Sequence, residues 1–288
     1  MDSVFVDSGG ERLHCVTAGA EGDAPVLILL HGFPDHWGVW KRQMQALAPF
    51  RKVVAPDGRG VNLSSRPAAV EAYGLARLLE DIAAVADHFS PGGPIDLCGH
   101  DWGGVTAWAF AATHPERVRR LAVLNAPHPR VLAEALAEDP EQQAASRYMA
   151  ALRAPGAEER LSANGFETLR RIYDPLRRKG ALTDAEEAAQ QEAWGRPGAL
   201  TGALNWYRAN DFSIPASAQA VPTIPARLPV LLVWGEEDRA LLPAMARRHA
   251  AVAPDLRIAM VPGVGHWPAL ENPDLVNSLL ERHFAIDG

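Results

Sequence analysis

The hexapeptide Gly99-His100-Asp101-Trp102-Gly103-Gly104 carries the most chemistry in this chain. It follows an apolar run at 94–98 and opens an Ala-rich stretch, so the pattern predicts a strand, a sharp turn and a helix. Such a turn thrusts one side chain out of the backbone, and Gly99, Gly103 and Gly104 suit its crowding. The thrust-out residue is Asp101. A serine attacking an sp³ carbon leaves an ether, which water does not readily cleave. A carboxylate leaves an ester, which an activated water hydrolyses. An aspartate here therefore points to substrates opened by alkyl transfer, such as epoxides or alkyl halides, rather than to ordinary esters.

An acid and a base follow in order. The apolar run 230–235 reads as a buried strand and ends in Glu236-Glu237-Asp238. Residues 256–261 read as another strand, followed by Pro262-Gly263-Val264-Gly265-His266-Trp267-Pro268. Catalytic groups of open α/β sheets gather at the carboxyl ends of strands, where Asp101, Asp238 and His266 all fall. Upstream, the continuous apolar run 26–30 is the pattern of a strand buried on both faces, and it ends in His31-Gly32-Phe33-Pro34. Pro34 has no N–H, so Phe33 is the natural backbone donor there; with the N–H of Trp102 it makes an oxyanion hole. After a further strand at 51–57, Asn62 occupies a loop position for which asparagine is the best substitute for glycine at positive φ.

In order and approximate spacing, 31–34, 99–104, Asp238 and 265–267 resemble the epoxide hydrolase group of the α/β-hydrolases over nearly the whole chain. The resemblance implies an α/β-hydrolase fold: a mostly parallel eight-stranded sheet, helices on both faces, and an inserted helical cap. It implies an Asp-His-Asp triad of Asp101, His266 and Asp238, with Asp238 favoured over its neighbours Glu236 and Glu237. It also implies two cap tyrosines that hold the epoxide oxygen. Asn205-Trp206-Tyr207-Arg208 resembles the second tyrosine motif and Arg147-Tyr148-Met149 the first, with Tyr173 as the spare for Tyr148. His31, Pro34, Trp206, His128 and Trp267 are expected around the substrate pocket. His36, His100 and His128 are assigned to packing or hydrogen bonding rather than catalysis. A haloalkane dehalogenase would use the same nucleophile with the Trp102 indole on the halide, but Phe33 replaces the asparagine many of those enzymes carry. The fluoroacetate type needs arginines where this chain has Val105, Thr106 and Ala107. A tailoring enzyme for a complex natural-product epoxide and a non-catalytic ligand-binding member of the fold are the other readings.

The elements that must position these groups follow from the rest of the chain. Residues 1–128 and 226–288 are expected to form the core. Strand–helix alternation stops at 129–225, where an insertion rich in Ala, Arg and Glu has helical spacing at 132–153, 158–178 and 184–195. Core helices are expected at 37–48, 75–89, 104–114, 242–253 and 273–284, and a hairpin with a Gly9-Gly10 turn at 4–16. With 288 residues there is ample core for one catalytic domain and an insertion. A net charge of −7 without a basic run argues against nucleic acid and anionic membrane surfaces. Only three of the 28 basic residues are lysine. Two cysteines give no disulfide framework, and no His, Cys, Asp or Glu spacing suggests a metal. No cofactor is called for. The start lacks the features of a secretory leader and no apolar stretch is long enough to span a bilayer, so a cytoplasmic location is expected. Oligomeric state and the identity of the substrate are not legible.

Overall fold

The computed structural model describes residues 1–20, 22, 24–212 and 220–285. The stretch 213–219 of the expected insertion and the terminal 286–288 lie outside the described residues. The hairpin forms from β1 (Asp2–Ser8) and β2 (Glu11–Ala18), joined by Gly9 and Gly10 at φ 60 and 90. Both glycines occupy the left-handed region that a tight turn demands. The apolar runs become short strands buried along their whole length: β3 (Leu27–Leu30), β4 (Val53–Pro56), β5 (Ile95–His100) and β7 (Val230–Gly235). With β6 (Val118–Leu124) and β8 (Leu256–Val261) they make one eight-stranded sheet in the order β1-β2-β4-β3-β5-β6-β7-β8. Only β2 runs antiparallel to its neighbours; from β4 to β8 every pairing is parallel.

Register sets the site. Leu30 pairs with Gly99, His100 with Leu124, Leu124 with Val233, and Gly235 with Val261. The residues that leave these strands, from His31 round to His266, therefore emerge along one edge of the sheet, as a parallel arrangement requires. Behind that edge runs α3 (Trp102–Thr113), made of small and apolar residues and buried from Trp102 to Ala112. It begins two residues before the expected 104, because the turn at Asp101 passes straight into helical backbone.

Between β6 and β7 the chain builds α4 (Pro129–Glu138), α5 (Pro140–Ala145), α6 (Arg147–Arg153), α7 (Ala157–Ile172), α8 (Asp174–Arg178), α9 (Asp184–Gly195) and α10 (Ala199–Ala209). Several differ from the expected elements. The span 132–153 is three helices, because Pro140 starts a new one and Asp139 caps it by accepting from the N–H groups of Glu141 (3.0 Å) and Gln142 (3.2 Å). The span 158–178 breaks at 164–166, where Asn164, Gly165 and Phe166 all take positive φ, and again before Pro175. α9 starts on a reciprocal Thr183–Glu186 capping box. The expected helix at 242–253 is a 3-10 run, Pro243–Ala251, and the first turn of 37–48 is 3-10 before α1 (Lys41–Leu47). α2 (Leu75–Phe89) and a C-terminal helix (Pro273–His283) stand where expected. Among the described residues, no helix is long and apolar enough to cross a membrane.

Candidate active site

At the end of β5 the backbone turns through Asp101 with φ 51 and ψ −124. That conformation costs a non-glycine residue about 1–3 kcal/mol and persists because the surroundings over-determine it. A Cβ on Gly99 would stand 2.2 Å from the carbonyl oxygen of Gly103, and one on Gly103 2.3 Å from that of Leu30. One on Gly104 would meet the Ala126 Cβ at 2.3 Å, and one on Gly32 the Asp101 Cβ at 2.3 Å. All four positions demand glycine because backbone, the Asp101 side chain or, at Gly104, the Ala126 side chain passes too close for any other residue. The Phe33 N–H donates to Asp101 Oδ1 at 2.7 Å. The Trp102 N–H lies in the first turn of α3, whose amide groups the helix itself leaves unpaired.

His266 stands between two carboxylates. Its Nδ1–H donates to Asp238 Oδ2 at 2.7 Å, and its Nε2 lies 3.5 Å from Asp101 Oδ2. Asp238 Oδ1 accepts the N–H groups of Ala240 (2.9 Å) and Leu241 (3.0 Å), and Oδ2 also accepts Asn125 Nδ2–H at 2.6 Å. Both oxygens of this buried acid are thus surrounded by donors. Burial pulls the His266 pKa down, but the charges and hydrogen bonds of Asp238 and Asp101 outweigh it and hold the imidazolium well above its ordinary value. Burial pulls Asp101 and Asp238 up; the hydrogen bonds and charge of His266 outweigh it and hold both below the usual carboxylate range. These opposed shifts favour a carboxylate–imidazolium–carboxylate arrangement of the row.

Tyr148 of α6 and Tyr207 of α10 line the same cavity of about 630 Å³ as Asp101 and His266, together with Phe33, Pro34 and Trp267. Tyr207 sits in an aromatic box, edge-on to Trp102 (centroids 5.1 Å) and to Phe33 (5.3 Å), with Tyr148 at 6.5 Å. Burial pushes both phenols well above their ordinary pKa, so both are neutral donors. A smaller void of about 30 Å³, walled by Val105, Leu132, Met149 and Phe212 among others, lies on a second side of Asp101 and the tyrosines.

Other expected site residues are elsewhere. His31 and Trp206 do not line the large cavity. His31 donates from Nδ1 to the Gly32 carbonyl, accepts the Gly58 N–H at Nε2 (2.9 Å) and stacks on Trp206, whose indole N–H donates to the Arg59 carbonyl. His128 is buried behind α3, capping α4 through Nδ1 and donating from Nε2 to the Pro222 carbonyl (3.0 Å). Tyr173 points away from Asp101: its hydroxyl donates to Asp35 Oδ1 at 2.6 Å and its ring stacks on Trp194. Glu237 is exposed and paired with Lys179.

Two groups at the site, Asn125 and Asp35, escaped the sequence analysis, whereas His100 was expected to pack or hydrogen-bond. Asn125, at φ 41, donates to Asp238 and accepts the Gly235 N–H at Oδ1 (2.9 Å), tying β6 to the acid loop. The signal was available: a polar residue directly after a buried strand. Asp35 accepts from Tyr173, from Gln190 Nε2–H (2.8 Å) and from the Trp267 indole N–H (2.9 Å), joining the helical insertion to the Phe33 loop. Nothing in its sequence neighbourhood announced that seam. His100 donates from Nε2 to the His266 carbonyl at 2.7 Å and is kept neutral by burial. Among the described residues there is no group of His, Cys, Asp and Glu that could hold a metal ion.

Residues 25–273 match the family model described as alpha/beta hydrolase fold. The chain is 37% identical over 286 residues to the AB hydrolase superfamily protein YfhM of Bacillus subtilis (strain 168), covering 97% of this chain and 98% of that one. It is 36% identical over 285 residues to Epoxide hydrolase 4 of Mus musculus, covering 96% of this chain and 77% of the relative. The crystal structure of Bacillus megaterium epoxide hydrolase in complex with an inhibitor is similar at a TM-score of 0.90 and 27% identity, covering 97% and 99% of the two chains. With its eight-stranded sheet and an aspartate at the turn into α3, the chain belongs to the alpha/beta hydrolase fold family and is an epoxide hydrolase-like hydrolase.

Proposed function

We propose that the chain opens epoxides to vicinal diols through an ester on Asp101, with residues 129–225 as the cap over the substrate. One observation carries the reading: two phenols share a cavity with a strained aspartate that has a histidine 3.5 Å from its carboxylate. Tyr148 and Tyr207 donate to the epoxide oxygen as it gains charge. Asp101 Oδ2 attacks a ring carbon, the C–O bond breaks, and the alkoxide takes a proton from a phenol, which solvent re-protonates. Esterification removes one of the two negative charges beside His266. Its imidazolium then gives up its Nε2 proton to solvent more readily and becomes a base when a base is needed. Water, losing its proton to Nε2, attacks the Asp101 carbonyl carbon, and the N–H groups of Phe33 and Trp102 hold the oxyanion. As that intermediate collapses, the ester C–O bond breaks, the leaving alkoxide takes the proton from His266 Nε2 to complete the diol, and the carboxyl proton passes back to the imidazole and restores the carboxylate.

A dehalogenase would put the Trp102 indole on the halide; Phe33 in place of the asparagine many such enzymes carry, and two phenols sharing the cavity with Asp101, argue against that reading. The deciding experiment is a single turnover in ¹⁸O-water with enzyme in excess. Label is expected in the peptide containing Asp101 and absent from the first-turnover diol. Label in that diol would mean that water attacks the ring directly, and brisk halide release from bromoalkanes would move Trp102 to the centre of the mechanism.

A further inference from the structure

A second acid–histidine pair stands away from the cavity, and an exposed hydroxyl completes it. Nδ1 of His14, on β2, lies 2.6 Å from Asp57 Oδ2, a contact like that of His266 with Asp238 at 2.7 Å. Asp57 is fully buried, and its oxygens also accept the Trp37 N–H (3.0 Å) and Asn62 Nδ2–H (2.7 Å). Burial pushes this acid up, but the hydrogen bond from His14 and the neighbouring histidines outweigh it and hold it below the usual carboxylate range. A carboxylate only accepts, so Nδ1 carries the proton that faces it and Nε2 keeps a lone pair. Ser3 Oγ lies 2.8 Å from that Nε2, so its hydroxyl donates to it. His14 is buried, and its backbone N–H is fixed on Ser64 Oγ at 3.0 Å. Ser3 is exposed on β1, the outermost strand of the sheet, with three strands between it and β5.

A hydroxyl bonded to a base that a third group orients is the arrangement of an activated nucleophile. We infer that Ser3 is a second nucleophile of this protein, acylated by small aryl esters, with His14 as its general base and Asp57 as the group that orients the base. The Ser3 hydroxyl proton passes to His14 Nε2 as Oγ bonds the ester carbonyl carbon. The bond from that carbon to the aryl oxygen breaks, the phenolate leaves, and His14 releases its proton to solvent. The product is an acyl ester on Ser3. The site fixes the class of acyl donor. An exposed hydroxyl has no walled pocket to hold a long acyl chain, so the leaving group must supply the reactivity, as a phenolate does. Beside it, two residues along on the same face of β1, Phe5 is exposed and offers its ring to an aryl group. That ring lies 5.4 Å from the His14 ring and 4.3 Å from the Arg12 guanidinium.

The test exposes the full chain to p-nitrophenyl acetate and follows the acetyl group at each serine by peptide mapping. Ser162 is the internal reference, because it is equally open to solvent but its Oγ donates to the Glu159 carbonyl (3.4 Å) rather than to an imidazole. Ser3 should be acetylated about a hundredfold or more faster than Ser162, the lower end of what a positioned general base supplies. Hydroxylamine should strip the acetyl group from Ser3, as it does from an ester. His14→Gln should bring the ratio of the two rates toward unity. Equal rates at Ser3 and Ser162 in the wild type overturn the assignment whether or not His14→Gln folds. So does a label that resists hydroxylamine, or an unchanged ratio in a His14→Gln protein whose circular dichroism matches the wild type. Epoxide opening does not enter the readout, so this assignment and the Asp101 mechanism stand or fall separately.

Discussion

Replacing Asp238 with asparagine should separate the two chemical steps, and the size of the effect follows from the donors around that side chain. Four donors converge on its two oxygens: the N–H groups of Ala240 and Leu241 on Oδ1, and the side chains of Asn125 and His266 on Oδ2. An asparagine offers one oxygen and one NH₂. The two backbone donors cannot turn away, so the amide oxygen must face them and the NH₂ must face His266. Nδ1 of His266 then becomes an acceptor, and the ring proton moves to Nε2, the atom that has to take a proton from water. Reversal of the tautomer in an acid–histidine pair costs on the order of 10⁴ in rate, which is about 5.5 kcal/mol at 1.36 kcal/mol per decade. Attack by Asp101 on the ring needs no proton accepted at Nε2, so alkylation should slow far less. Glu237 offers no rescue, because it is exposed and held by Lys179. Rapid quench followed by intact mass measurement should therefore show Asp238→Asn accumulating protein plus one substrate within the first turnover, decaying about 10⁴-fold slower than in the wild type. Trp102 and Trp267 at the site give stopped-flow fluorescence as a second readout. Ester hydrolysis at the wild-type rate, or equal loss in both steps, would refute the argument.

Tyr207→Phe should slow alkylation by about a hundredfold or more, and the double change with Tyr148→Phe should nearly abolish it, by analogy with loss of an oxyanion donor at roughly 2.7–4 kcal/mol; pre-steady-state ester formation measures both. His266 is raised by Asp238 and Asp101, so its contribution to stability is complete below pH ~6.5 and lost as pH rises through its folded value, whereas Asp101 and Asp238, both depressed, contribute above pH ~4 and lose that contribution on acidification. Asp101→Asn should accordingly lower the His266 pKa, read by NMR titration of the ring; a pKa that stays put would remove the charge-loss step from the mechanism. Gly32→Ala places a Cβ 2.3 Å from the Asp101 Cβ and should displace the nucleophile or the Phe33 loop. Such overpacking costs about 1–3 kcal/mol, visible as a lower melting temperature together with loss of activity.

Much of the site was legible in one dimension because its parts sit where buried strands end. Continuous apolar runs at 26–30 and 230–235 announce strands with both faces covered, and the polar residues that follow must lie at the sheet's edge. Glycine at 32, 99, 103 and 104 marks backbone crowding that any Cβ would prevent. The chemistry proposed for Asp101 follows from its type, since a carboxylate leaves a hydrolysable ester on attack at sp³ carbon. What the sequence left open is what depends on contacts between distant segments. Tyr148 and Tyr173 were alternatives until the fold put one hydroxyl on the cavity and the other on Asp35. His31 and Trp206 stand beside the motifs yet turn onto each other behind the loop. Helical spacing did not see the breaks at Pro140 and at 164–166, because a helix interrupted by a cap or a left-handed turn keeps its apolar positions in approximate phase. The row of Asp101, His266 and Asp238 exists only once the ends of distant strands are brought together, for Coulomb energy depends on distance and burial and neither can be read from a linear chain.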